Sequence, residues 1–187
     1  RRFLERGGVL IATGNSATLP VHLGFNPGVQ QVESDGLIAS GAVFRAQPVD
    51  RTSPILYGYE RQSFPVYFNQ APLLQAGGGF GFGGGGGGAA ADTSEEARRA
   101  RPRVILRFHQ DTDSLLVSGR LQNGGELAGK AAVIDAPVGK GHAVLFAIRP
   151  VWRHSSQGSF ALALNAITHW NNLQAAPRQA GGRTAQQ

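Results

Sequence analysis

Residues 77–88 read Gly-Gly-Gly-Phe-Gly-Phe followed by six glycines. Such a run has almost no side chain to bury and the most backbone entropy to lose on ordering, so it predicts a flexible loop. With the polar stretch 89–101, which predicts at most a frayed helix, it forms a low-complexity segment over 77–101. Whatever core the chain builds must come from the apolar runs on either side. The 187 residues match one domain of ordinary size. We place that domain at 1–173, with a polar, disordered tail over 174–187. The chain opens without Met inside a predicted helix, which reads as an N-terminally truncated piece.

Hydrophobic residues make up 41% and charged residues 16%, enough apolar material for a core and against full disorder. No stretch approaches the roughly 20 apolar residues of a membrane helix. The absence of Cys removes thiol nucleophiles, thiolate zinc sites and disulfides together. The net charge of +6 is carried almost wholly by scattered Arg, so nucleic-acid binding is permitted but not favoured.

Arg1–Arg6 predicts a helix stopped by Gly7-Gly8. Val9–Thr13 predicts a strand buried on both faces, Gly14-Asn15-Ser16 a turn, and Ala17–Leu23 a short helix. Helix, strand, turn and helix indicate an α/β class. Val29–Glu33, Gly41–Ala46 and Pro65–Asn69 predict short strands of an irregular β-rich insertion. Further strands are expected at Arg103–Phe108, Leu115–Ser118, Ala131–Asp135 and His142–Ile148, the last two joined by a five-residue turn, Pro137–Gly141. Phe160, Ala163, Leu164, Ile167 and Trp170 fall at helical spacing, which predicts a closing amphipathic helix. Its Phe160, Leu164 and Ile167 should be buried with Val144 and Phe146.

Several motif-like stretches carry no chemistry when spacing is applied. His109-Gln110-Asp111-Thr112-Asp113 lacks the ligand number of a calcium loop and the paired His of a helical zinc site, and reads as a polar turn. Gly79-Phe80-Gly81-Phe82 matches only the centre of an RNA-binding RNP1 strand. Gly139-Lys140-Gly141 lacks both the upstream glycine and the Ser or Thr of a phosphate loop. Arg98, Arg99, Arg101, Arg103 and Arg107 read as a solvated approach to a strand. Trp152-Arg153-His154-Ser155-Ser156 is expected to open the closing helix. There Arg153 could meet an anion, or the serines could only cap the helix; both readings stay open. Arg153, Asn15 and Ser16 are the candidate binding residues.

Leu4–Gly24 resembles the strand and nucleophile elbow of class I glutamine amidotransferase-like domains. Leu116–Leu173 resembles the C-terminal end of bacterial zinc carboxypeptidase A-like proteins (metallopeptidase family 14). The pieces that carry this second likeness are Ala136–His142, Phe146–Arg153, Gly158-Ser159-Phe160 and Asn165-Ala166, with Pro65–Asn69. The resemblance implies an incomplete amidotransferase-like (flavodoxin-like) sheet with a β-rich insertion and a C-terminal helix. It places Thr13 where the family has its Cys, a degenerate nucleophile position that argues against amidotransferase chemistry. It further implies a non-catalytic accessory domain of a metallocarboxypeptidase-like protein, structural or substrate-positioning in role. The partner is then an upstream peptidase domain, which would hold the zinc, in a periplasmic or secreted setting. The alternatives are a small-ligand or glycan binding module and, with less support, a nucleic-acid binder.

Overall fold

The computed structural model describes residues 1–77, 99–154 and 156–174. Nearly all of the glycine run, most of the expected frayed helix, Ser155 and the expected tail beyond Gln174 lie outside the described residues.

The fold is α/β, built on one mixed sheet. Its strands are β1 (Val9–Thr13), β2 (Val29–Val32), β3 (Ala42–Pro48), β4 (Phe64–Phe68), β5 (Leu73–Ala76), β6 (Arg103–Phe108), β7 (Leu116–Ser118), β8 (Ala131–Val138) and β9 (Gly141–Phe146). The helices are α1 (Arg2–Glu5), α2 (Thr18–His22) and α3 (Phe160–Thr168). The main path runs β1-β9-β8-β6-β3-β4, with β7 beside β3, and β5 joining β2 to β8. Only β1 and β9 pair in parallel; the other described pairs are antiparallel. The strands of the expected irregular insertion therefore extend the same sheet. β5, which sequence reading missed, lies directly before the glycine run.

Every residue of β8 and β9 is buried. β9 lies next to the edge strand β1, yet both strands are covered on both faces, and such a strand has no polar side to alternate with. The expected five-residue turn is a two-residue one. Val138 still pairs with Gly141, and Gly139 takes a φ of 62° at the turn's first position. β1, by contrast, is an edge strand and mostly only half-buried, which corrects the expectation that both its faces are covered.

Apolar clusters fill both faces of the sheet. The larger holds Phe44, Phe68, Phe108, Phe146 and Leu162; the other holds Leu4, Ala12, Leu74, Ile134 and Leu145. Phe44, Phe68 and Phe108 meet edge-to-face, with centroids 5.2–6.2 Å apart, the geometry favoured by the ring quadrupole.

α3 docks, but rotated from the expected stripe. Val144 and Phe146 are fully buried as expected, yet the helix buries Leu162, Ala163 and Ala166. Phe160 is only partly buried, and Leu164 and Ile167 are each 58% exposed. One cause is Asn165, whose amide donates to the carbonyls of Ile55 and Tyr57 and so turns that side of the helix inward. Leu162→Ala should therefore cost about 2–5 kcal/mol, while Leu164→Ala should stay within about 0.5 kcal/mol of the parent. Urea melts of the two variants check the rotation; the reverse order would restore the sequence-based stripe.

Candidate functional site

β1 and β9 run in parallel, so their carboxyl ends lie at one end of the sheet. In open α/β sheets that is where ligands bind, because loops there diverge to leave a crevice. The loop after β1 is a 3-10 turn, Gly14–Ala17, leading into α2. The loop after β9 runs through Arg149 to a second 3-10 turn, Gln157–Ser159, before α3.

Thr13, Asn15 and Ser16 are all exposed. Ser16 folds back on β1: its Oγ accepts from the Thr13 N–H at 3.2 Å and donates to the Thr13 carbonyl at 2.8 Å. Ser16 thus caps the end of β1 locally. Thr18 Oγ1 donates to the Asn15 carbonyl at 2.9 Å, which fixes the turn and leaves the Asn15 amide without a protein partner among the described residues. Nothing at Thr13 resembles an activated nucleophile. The buried Asp135–His142 pair, bonded at 2.7 Å, lies opposite Val9 at the other end of β1. At strand rise that is about 13 Å away.

The opposite wall carries cations. The Arg149 side chain packs on Gly14, where a Cβ would come within 3.1 Å of its Nε. Gly14 takes a φ of 56°, so the position favours glycine on both counts. The Arg149 guanidinium carbon sits 4.5 Å from the centroid of the Trp152 ring, and that of Arg153 5.1 Å from it. Tyr67 stacks on Trp152 at 5.8 Å and 13°. Neither guanidinium has an acceptor among the described residues. Arg153 and His154 both adopt left-handed φ values, 44° and 63°, a costly pair for residues with a Cβ. Arg153 does not open the closing helix. α3 begins at Phe160, and Ser159, just before it, spends its Oγ on the carbonyls of Pro150 and Ser156.

A polar cavity of about 340 Å³ adjoins the elbow, lined by Asn15, Thr18, Gln31, Glu33, Ser34 and Gln70 among others. Gln31 Oε1 is buried there without a hydrogen-bond partner. Gln70 is spent on the fold, its amide clasping the Leu37 carbonyl and the Ala39 N–H.

Of the sequence candidates, Asn15 and Arg153 thus fall on the two sides of one elbow. Arg149, Trp152 and Gln31 were missed. Arg149 follows a fully apolar strand with no motif around it; the only available signal was the strand–Arg–Pro-x-Trp-Arg order. Within the arginine stretch Arg99 is exposed, as read, and Arg98 lies outside the described residues, but Arg103 is partly buried and paired. Arg103 bonds Asp50 at 3.0 Å and Asp135 at 2.7 Å, and also donates to the Leu173 carbonyl. The His109–Asp113 segment is a polar turn as read: Asp111 accepts from Asp113 N–H and from Ser114 Oγ, bonds that lower its carboxyl below the ordinary range. Among the described residues no three His, Asp or Glu side chains are grouped so that they could share a metal ion. No described helix is long and apolar enough to cross a membrane.

No family profile and no curated protein matches the chain. Among solved structures it is similar to the cytoplasmic protein STM3548 from Salmonella typhimurium, at 13% identity and a TM-score of 0.43. The match covers 90% of this chain and 57% of that one.

Proposed function

We propose that this chain is a non-catalytic accessory module that binds a carboxylate-bearing ligand at the elbow between β1 and β9. The observation that carries this reading is the pair of guanidiniums of Arg149 and Arg153, held against the Trp152 ring and without an acceptor among the described residues. An Arg fork takes a carboxylate through two parallel bonds, and a neighbouring aromatic face packs the adjoining apolar group. A peptide C-terminus has both parts. That suits a substrate-positioning role in a zinc carboxypeptidase A-like protein, with the zinc and the chemistry in an upstream peptidase domain. The amidotransferase-like elbow is then a degenerate one, with Thr13 in place of a thiolate.

Calorimetric titration of an N-acetylated dipeptide against its C-terminal amide tests this. The acid should bind at least about tenfold more tightly, and Arg149→Gln should abolish the difference. Equal affinities overturn the reading.

A second reading, a neutral-glycan module, is favoured by the polar cavity beside Asn15 and the orphaned Gln31 Oε1. It predicts oligosaccharide binding that is insensitive to Arg149→Gln and lost in Asn15→Ala.

A further inference from the structure

We propose that the open edge of β1, with the apolar groove beside it, accepts a β-strand of another polypeptide. That strand is apolar at alternate positions and acidic at the end lying by Arg2 and Arg6.

The hydrogen-bond pattern selects a strand. The His142 N–H donates to the Gly8 carbonyl, so in this parallel pair that carbonyl and the backbone groups of Leu10 and Ala12 face β9, while the Gly8 N–H donates to the Phe3 carbonyl. Those of Val9, Ile11 and Thr13 face away. Ser16 Oγ occupies both outward groups of Thr13. The outward groups of Val9 and Ile11 have no such cap among the described residues, and together they present a short ladder for strand addition.

The side chains select its character. A groove of about 740 Å³ runs along this edge between α1 and α3. Phe3 is 67% exposed, Ile167 58% and Trp170 54%, and all three line it with Val9 and Ile11. Three large apolar side chains so exposed around one groove mark an interaction surface rather than scattered surface residues. Parallel strand pairs also ordinarily lie inside sheets covered on both faces, whereas this one stands at an edge. The groove's charged lining is Arg2 and Arg6 alone, with no carboxylate. The nearby Glu5 is already bonded to Arg1 at 3.0 Å. An occupant with acidic residues at that end complements the two cations. A second copy of this chain would bring another +6 of net charge instead.

The probes are three synthetic peptides: Glu-Asp followed by Val-Thr-Val-Ile-Val, the same residues in reverse order, and the first peptide with both acids replaced by Lys. Binding is followed by fluorescence titration and by hydrogen exchange. One acidic peptide should bind and slow exchange at the Val9 and Ile11 amides. Which of the two binds reports parallel or antiparallel addition. The Lys peptide should bind at least about tenfold more weakly. Ile11→Pro removes an outward N–H together with a side chain that packs on the core, and should abolish binding at some cost in stability. Should that variant not fold, Ile167→Lys, at an exposed position, should abolish binding equally. The proposal is overturned if neither acidic peptide binds at about 1 mM or if the Lys peptide binds as well as they do. It is also overturned if β1 is already protected in a homodimer.

Discussion

Asp135→Ala should destabilise the chain by about 3–5 kcal/mol, because it takes away the acceptor that the buried His142 ring and the Arg103 guanidinium share. Asp135 is fully buried in the middle of β8. Its two oxygens are shared between Arg103 and His142, both at 2.7 Å. Arg103 passes the connection on to Asp50 and to the Leu173 carbonyl, so one carboxylate ties β8, β9, β6 and the segment after α3 together. With Asp135 gone, the His142 ring loses the one side-chain partner it has among the described residues, and Arg103 keeps only the more exposed Asp50 and the Leu173 carbonyl. The stabilising value of such a pair against an apolar replacement is small; the cost arises from removing one member alone. Pairing Asp135→Leu with Arg103→Met should therefore cost clearly less than the sum of the two single changes. A double-mutant cycle from urea melts measures this. Additive costs would show that the network does not act as a unit.

Gly141→Ala should cost about 3 kcal/mol, the upper part of the range for overpacking. A Cβ at this first residue of β9 would fall on the carbonyl oxygens of Gly8 and Leu4. These are backbone atoms, so no rotamer change can yield. The Gly8 carbonyl is also the acceptor for His142, and Leu4 is 2% exposed beneath the hairpin. Relief therefore requires α1 and the start of β1 to lift from β9. Gly125→Ala is the control: nothing lies within 4 Å of its added carbon, and it should melt within about 0.5 kcal/mol of the parent. A Gly141→Ala variant that melts like the control would show that α1 is not held against the hairpin.

The sequence was most readable where burial is complete. Ala131–Asp135 and His142–Ile148 read as strands, and the strands they mark are buried along their whole length, although the first runs on to Val138 where a turn is expected. It was least readable where packing is decided at a distance. The apolar stripe of α3 points to Phe160, Leu164 and Ile167, but Asn165 reaches the carbonyls of Ile55 and Tyr57 far back in the chain and turns another face inward. No local periodicity encodes that contact. β5 was hidden because Leu-Leu-Gln-Ala is short and abuts glycines. Asp135 did carry a signal that went unused: one carboxylate inside an apolar strand must find donors, and the hairpin brings His142 beside it. At the elbow, Asn15 and Arg153 were found from turn and charge patterns. Arg149 and Gln31 were missed because their significance lies in lacking partners, a property of the assembled fold alone.

The turn at Gly139-Lys140 also bears on the order in which the sheet forms. β8 and β9 are neighbours in sequence, so their pairing closes a minimal loop and ranks among the least costly long contacts available. β1 must instead find β9 across nearly the whole described chain. Topology thus separates an early local hairpin from a late non-local edge. The hairpin serves as the template on which the first strand of the chain arrives last. During synthesis β1 emerges well before the strand it needs, and it stays unpaired until translation has passed Phe146.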